Sequence, residues 1–427
     1  MFSKIIQIKL ESLVKRYLAK HSDIKLVVVA GSVGKTTTKV AIATILSQSF
    51  RVRLHEGNHN SELSAPLAIL GIDYPDKIRS VGAWINVFRA AKERIKSPTD
   101  VDIIVQELGS DRIGQIAHYR KYLRPDIGVV TAISPEHMEF FETMENVAKE
   151  EMGVANFSKQ ALINRDDIDG EYARHLTNAD VSTYGTSATA EYHFISQDFS
   201  LKDGYKGQFI ASDLDKPVEV SVQIVGEHSL RSVVAAFAVG LKMGMDAKSI
   251  AKGLAAITAV PGRMNILRGI KNSILIDDTY NSSPLAVKSS LQTLYQLSAP
   301  QRIAVLGSMN ELGASSAEEH KKVGELCYPN ELAWVITVGD EAEKYLAPAA
   351  KANGCQVKSF KTAVAAGGFV RGEIETGSIV LFKGSQGGIY VEEALKVVLQ
   401  SAADDIKLVR QTPAWIKTKT EFFSNLS

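Results

Sequence analysis

The run Leu26-Val27-Val28-Val29-Ala30, followed at once by Gly31-Ser32-Val33-Gly34-Lys35-Thr36-Thr37, constrains the fold more than any other stretch of this 427-residue chain. Five consecutive apolar residues read as a buried strand, and AIATILSQSF (41–50) beyond the loop reads as helix. Strand, glycine-containing loop and helix, in that order, are what a phosphate-binding loop requires. Gly31 and Gly34 permit backbone angles that other residues resist. The loop N–H groups, Ser32 and Thr37 among their carriers, can then converge on phosphate oxygens beside the positive end of the helix dipole. Lys35 can reach the outer phosphates, and Thr36 offers a hydroxyl to Mg²⁺. Val29 stands where the strict G-x-x-x-x-G-K-[ST] pattern has its first glycine. The bland alternative is a helix N-terminus with no ligand. A loop of this kind implies a nucleotide such as ATP but does not name a reaction.

The rest of the chain repeats the alternation. VDIIVQELG (101–109) and DIGVVTAIS (126–134) are continuous apolar runs, which suit parallel strands covered on both faces. Residues 112–123 and 143–158 read as helices between and after them. The segment 190–225 alternates and carries the turn Lys202-Asp203-Gly204, predicting a small antiparallel region, and 229–243 reads as helix. After Pro261-Gly262-Arg263 a second βα series begins. Its strands are predicted at 273–278, 302–308, 333–339 and 378–384, and its helices at 284–297, 316–327 and 388–402. The expected division is an N-terminal helix (1–24), a nucleotide-binding domain (25–262) and a C-terminal domain (263–427).

Charge and cysteine usage narrow the partners. Forty-nine Lys and Arg against 48 Asp and Glu leave a net +1, without the basic excess of a nucleic-acid coat, so no nucleic-acid partner is expected. Two cysteines, Cys327 and Cys355, fit no metal-site spacing and suit a reducing, cytoplasmic setting. No apolar run reaches the roughly 18 to 20 residues that span a bilayer. The first twenty residues fit an amphipathic helix, with Phe2, Ile5, Ile6, Leu10, Leu13, Val14 and Tyr17 near one face and five basic residues around the rest. Two readings stay open: a helix packed on the protein, or weak contact with an anionic membrane surface. No obligate protein partner is evident.

Six regions in register resemble the Mur ligase family. They are VAGSVGKTTTK, EGNHNSELSAPLAIL (56–70), QELGSDRIGQI (106–116), TAISPEHMEFF (131–141), PGRMNIL with IDDTYNSSP (261–267 and 276–284), and LGSMNELGASSAEEH with FKGSQG (306–320 and 382–387). Within the family the motifs resemble most the branch that joins D-alanyl-D-alanine to a cell-wall precursor peptide. The resemblance implies an α/β architecture: a P-loop central domain with a mostly parallel sheet, and a Rossmann-like C-terminal α/β domain. It also implies an ATP-dependent amide-forming ligase that activates a substrate carboxylate as an acyl phosphate and hands it to an amine, with small-molecule acceptor and amino acid or dipeptide as substrates. Closing two domains over the site would exclude water from that intermediate.

The same resemblance implies roles residue by residue. Lys35, Glu107, His137 and Arg263 become catalytic candidates. Thr36 and Glu107 would hold one Mg²⁺, with His137 near a second. Asp278, Tyr280 and Asn281 would hold the nucleotide, and Asn58, Asn60, Lys383 and Ser385 are substrate candidates, Lys383 having a solvated turn lysine as its bland reading. Several positions depart from the family pattern. Glu151 stands where the family has a carbamate-modified lysine, so either Glu151 supplies the metal carboxylate directly or Lys149 is the modified residue. Ser229 and Ser232 replace two asparagines, Ala132 replaces another, and Gln386 replaces an arginine. The loop begins at Gly31, leaving no room ahead of it for the uridine-nucleotide-binding domain with which three-domain members start. The expectation is that the acceptor is held in another way. Rival readings are a two-domain ligase of another branch (folate polyglutamylation or amidation of a lipid-linked wall precursor), a non-catalytic nucleotide-binding module, and a partitioning or motor ATPase. The last does not account for the second βα series.

Overall fold

In the computed structural model, which describes residues 2–55, 57 and 59–425, the chain forms two compact units. The first comprises 1–134, 140–223 and 229–257, and the second comprises 135–139, 224–228 and 258–427. Each has its own sheet.

The first unit contains strands β1 (Lys25–Ala30), β2 (Val52–Leu54), β3 (Ile103–Glu107), β4 (Ile127–Val130), β5 (Gln160–Asn164), β6 (Val181–Gly185), β7 (Tyr192–Ser200), β8 (Gly204–Ile210) and β9 (Val218–Val222). They form one nine-stranded sheet in the order β2-β3-β1-β4-β5-β6-β7-β8-β9. From β2 to β7 every pairing is parallel, and β7-β8-β9 is antiparallel. Strands β3 and β4 are buried at every position and β1 at all but its first, matching their unbroken apolar runs. β8 alternates buried and half-buried residues, as a strand with one wetter face does. The antiparallel region predicted for 190–225 therefore exists, but it extends the main sheet and does not stand apart.

The chain leaves β1 for β2 on one side, with β3 inserted between them, and then returns past β1 to β4 on the other side. The strand order thus reverses at β1, and the carboxyl ends of β3, β1 and β4 surround the crevice where open α/β sheets bind ligands. Val29 is in register with Glu107 on one side and Val129 on the other. Glu107 and the Gly31 loop are therefore neighbours by strand register alone.

Helices flank these strands at Lys35–Leu46, Ser64–Leu70, Val81–Lys96, Gln115–Tyr119, Met144–Phe157, Glu227–Lys242 and Ala247–Ala255, with a short one at Met138–Phe141. The loop helix begins at Lys35, six residues before the position read from its apolar pattern. The polar Thr36-Thr37-Thr38-Lys39 run hides its first turn from a hydrophobic-periodicity reading. The N-terminal helix Phe2–Lys20 packs on the protein. Ile6 and Leu10 join Leu67, Trp84 and Val87, while Leu13, Val14 and Tyr17 join the core under β1 and β3. Phe2 and Ile5, placed on the same face from the sequence, are instead exposed. At about 100° per residue they lie rotated away from the stripe centred on Leu10 and Tyr17.

The second unit contains β10 (Asn265–Arg268), β11 (Ile274–Asp278), β12 (Arg302–Gly307), β13 (Trp334–Val338), β14 (Val357–Phe360) and β15 (Ile379–Lys383), ordered β10-β11-β15-β12-β13-β14. Only β10 against β11 is antiparallel. The helix expected over 388–402 is confined to Glu392–Val397. Helices at Ala363–Glu373 and Pro413–Ser424 were not read from the sequence. Cys327 and Cys355 are both buried free thiols. Among the described residues no helix is long and apolar enough to cross a membrane.

The N-terminal helix yields a stability prediction. Leu10, fully buried, should cost about 2–5 kcal/mol of unfolding free energy as Leu10→Ala in denaturant titrations, whereas the exposed Ile8→Ala should stay within about 0.5 kcal/mol. Equal effects would mean that the helix does not dock through its Leu10 face.

Candidate functional site

Two glycines shape the phosphate loop. Gly31 has φ 122° and Gly34 has φ 87°, in the left-handed region that side chains resist. A Cβ on Gly31 would also fall 2.4 Å from Thr131 Oγ1 and 2.8 Å from Ala132 N. The loop is laced to the chain beyond β4. Ser32 N donates to the Ala132 carbonyl at 2.9 Å, Ser134 N donates to Ser32 Oγ at 3.1 Å, and Thr131 Oγ1 donates to the Val33 carbonyl at 2.6 Å. Gly34 is the N-cap of the Lys35–Leu46 helix and brings no capping side chain. The first turn, including Thr36 and Thr37, thus presents backbone N–H groups at the positive end of the helix dipole.

Charged side chains gather around the loop. Lys35 Nζ folds back onto the Gly31 and Ser32 carbonyl oxygens. Glu107, at the end of β3 and 1% exposed, receives three groups. Thr36 Oγ1 donates to it at 2.9 Å, Asn60 Nδ2 at 2.9 Å, and Lys39 Nζ lies 3.7 Å away. Lys39 also donates to the His55 and Gly57 carbonyls, at 3.3 and 2.9 Å. Asn60 is fixed in turn, because its carbonyl accepts from Gly109 N at 3.0 Å and from Tyr119 OH at 2.7 Å. Asn58 lies outside the described residues. Lys39 was missed in the sequence. The available signal was its place one helical turn after Lys35, on the same face.

Glu151, on the helix Met144–Phe157, is buried, and its carboxylate accepts from Gly31 N at 2.6 Å. Lys149 is exposed on the same helix. Glu150, also overlooked, accepts from Gly114 N and Ile116 N and so fixes the start of the helix Gln115–Tyr119. Ser232, in place of a family asparagine, accepts from Thr38 Oγ1 at 2.9 Å. His137 belongs to the second unit, has φ 51° and lies 2.8 Å from Glu311 through Nδ1. Among the described residues no three His, Cys, Asp or Glu side chains gather into a metal-holding group. Of the expected metal residues, Thr36 meets Glu107 and Glu151 meets Gly31 in the first unit, and His137 meets Glu311 in the second.

In the second unit, strand register sets the main feature. Asp278 on β11 stands opposite Lys383 on β15, and their charged groups are 2.6 Å apart, both buried. Ser290 Oγ donates to the same carboxylate at 2.6 Å, and Lys383 also donates to the Asn281 carbonyl at 3.1 Å. Burial alone would raise the Asp278 carboxyl, but Lys383, His228 and these hydrogen bonds hold it below the ordinary carboxylate range. The solvated-turn reading does not describe Lys383, which is buried. Its ammonium is consumed by the ion pair, and Ser385 Oγ is likewise engaged, accepting from Asn310 N at 2.9 Å. Arg263 lies over the Tyr280 ring at 4.3 Å. Gly262 is strapped to β11, donating to Asp277 at 3.0 Å and accepting from Tyr280 N at 3.1 Å. Burial pushes the Asp277 carboxyl up to about 6, against the opposing hydrogen bonds from Thr279 and Gly262.

Comparison with known proteins adds the lineage of this arrangement. Residues 29–240 match the family model described as the Mur ligase middle domain, and 262–386 match the Mur ligase, glutamate ligase domain. The UDP-N-acetylmuramoyl-tripeptide–D-alanyl-D-alanine ligase of Bacillus subtilis (strain 168) is 26% identical over 402 residues, covering 92% of this chain and 79% of its own. Among solved structures, MurF from Thermotoga maritima in complex with ADP superposes with a TM-score of 0.74 at 25% identity, over 92% of this chain and 83% of that one. MurF from Acinetobacter baumannii gives 0.76 at 22%, over 94% and 80%.

Two predictions follow from the buried charges. Lys39→Met leaves Glu107 buried without its cation and should lower unfolding free energy by about 3 kcal/mol or more, read by denaturant titration. No loss would show that Lys39 does not balance Glu107. Asp277, with its folded value near 6 above the ordinary 3.8, binds a proton more readily folded than unfolded. Its contribution to stability is full below about pH 4 and is lost as pH rises through about 6, roughly 3 kcal/mol in all. Between pH 4 and 7 the chain should therefore lose stability relative to Asp277→Asn; parallel profiles would refute the assignment.

Proposed function

The chain belongs to the Mur ligase family, and we propose that it is an ATP-dependent, ADP-forming ligase that joins D-alanyl-D-alanine, or a related amino acid, to a cell-wall precursor peptide. The observation that carries the reading is the convergence of Thr36, Lys39 and Asn60 on the buried Glu107 at the mouth of the phosphate loop. A scaffold that merely kept the fold has no physical need for a carboxylate buried at that point.

The reaction proposed has two steps. A carboxylate oxygen of the acceptor attacks the γ-phosphorus of ATP and ADP leaves, giving an acyl phosphate. The amine of the incoming dipeptide then attacks the acyl carbon, forming the amide as inorganic phosphate leaves and the amine proton passes to solvent or base. In this reading the N–H groups of Val33 to Thr37 bind phosphate oxygens, and Lys35 exchanges its loop-carbonyl contacts for the outer phosphates. The Thr36 hydroxyl and the Glu107 carboxylate are hard oxygen donors 2.9 Å apart, a chemistry that fits Mg²⁺. When bound, the ion would offset phosphate charge. Asn60 and Lys39 keep Glu107 oriented for that task. Glu151 is the carboxylate we assign beside the loop in place of a modified lysine. In the second unit, Arg263 is proposed for phosphate charge, and Asp278, Tyr280 and Asn281 for the nucleotide, with Lys383 holding Asp278 in place.

The test is direct. Purified chain with ATP, Mg²⁺, UDP-N-acetylmuramoyl-tripeptide and D-alanyl-D-alanine should release ADP over many turnovers only when both acceptor and dipeptide are present, whereas acceptor alone should give at most one ADP per chain. Lys35→Ala should lower kcat by about 10²- to 10³-fold, the scale of removing one donor to developing charge. ADP release that ignores both organic substrates, or is untouched by Lys35→Ala, would overturn the reading.

A further inference from the structure

The N-terminal helix keeps a second face that the core does not use. Phe2, Ile5 and Ile8 are each more than 40% exposed. So are Ile78, Val81 and Ile85, at and before the start of the helix Val81–Lys96. The two helices lie side by side and run in the same direction. About midway along them Lys9 Nζ sits 4.3 Å over the Phe88 ring, and at their ends Lys20 Nζ donates to the Lys96 carbonyl at 3.3 Å. Counting back seven residues from Lys9 and Phe88 places Phe2 at the level of Val81. The exposed apolar residues of both helices therefore gather at one end of the pair.

Basic residues, the exposed Lys9, Arg16 and Lys92 among them, are numerous in these two segments. Residues 1–20 hold five Lys and Arg against one Glu, and 76–96 hold six against two acidic residues. These segments carry +8 in a chain whose total is +1, so everything else sums to −7. In the N-terminal helix the single acid, Glu11, is turned inward to His118 at 2.7 Å. An apolar tip bordered by cations, on a molecule otherwise acidic, is complementary to one kind of surface: anionic headgroups over hydrocarbon.

We propose that the paired face of Phe2–Lys20 and Val81–Lys96 docks the protein reversibly on anionic lipid bilayers, with Ile5 and Val81 entering the interface and Lys9, Arg16 and Lys92 meeting lipid phosphates. Docking needs no refolding, because the opposite side of the N-terminal helix stays packed through Leu10 and Tyr17. The site of catalysis plays no part in the argument, so the two proposals stand or fall separately.

The experiment is vesicle co-sedimentation of the full chain. It should bind phosphatidylcholine–phosphatidylglycerol vesicles at low salt. Binding should weaken about tenfold or more with phosphatidylcholine alone, at high salt, or in either double variant, Lys9→Glu/Lys92→Glu or Ile5→Asp/Ile85→Asp. Unchanged thermal unfolding of both variants shows that they fold. Absent binding, equal binding to neutral vesicles, or variants that bind as the parent does would each overturn the proposal. So would a concentration-dependent dimer in vesicle-free ultracentrifugation that Ile5→Asp/Ile85→Asp dissolves, or an oligonucleotide that displaces the chain from vesicles at matched phosphate.

Discussion

The site rests on one electrostatic constraint, a carboxylate buried at the end of a parallel strand. Glu107 is placed there by register with Val29, beside the phosphate loop. A lone carboxylate so far from water would shed its charge by taking up a proton. Lys39 supplies the cation, and Thr36 and Asn60 supply hydrogen bonds. Thr36 and Lys39 come from the loop helix and Asn60 from the connection after β2, so both are tied to β3 by one side chain. Tyr119 and Gly109 then fix the Asn60 backbone, carrying the constraint to the next connection. The arrangement is costly as a means of stability, since apolar residues would fill the space more cheaply. Under the proposed function it is intelligible as an oxygen donor beside the loop that would hold the triphosphate.

Much of this was legible because strong local rules acted alone. β1, β3 and β4 were readable as unbroken apolar runs, and the loop from its two glycines and Lys35. β11, β12, β13 and β15 were readable on the same ground. What escaped is equally physical. β2 has three residues, too few to show a period, and is a strand only because β3 pairs with it. The helix Val81–Lys96 went unread although Trp84, Val87, Ala91 and Ile95 mark its buried side, because Val81 and Ile85 on its outer side blur the amphipathic contrast. Lys39 looked like one more polar residue in a threonine-rich turn. Its meaning depends on Glu107, which is 68 positions away in sequence and near only after β3 is inserted next to β1.

The second unit shows the same logic in a closed form. Asp278 and Lys383 face each other across two adjacent parallel strands, so their encounter follows from sheet order. From sequence each looked like an independent ligand for nucleotide or substrate. Strand order turns them into partners 2.6 Å apart, with Ser290 on the same carboxylate. What such a pair can do is position its surroundings. Lys383 holds the Asn281 carbonyl, and the neighbouring Asp277 straps Gly262. The Asp-Asp-Thr-Tyr-Asn segment is thus fixed at its two acids, leaving Tyr280 to pack against Arg263.

The choice between Glu151 and Lys149 can be argued from helix geometry. Two residues apart on a helix are about 200° apart around its axis, so the two side chains cannot serve one face. On the helix Met144–Phe157 the buried side is set by Val147, Ala148, Met152 and Ala155, with Glu150 and Glu151 among them. Lys149 falls on the exposed side. A carbamate formed there would point to solvent, whereas the Glu151 carboxylate already touches the Gly31 N–H. The position that reaches the loop therefore has an encoded carboxyl group and not a lysine. The N–H that Glu151 occupies belongs to the same loop whose amides are proposed to bind phosphate. A phosphate that took this N–H would displace the Glu151 carboxylate from it.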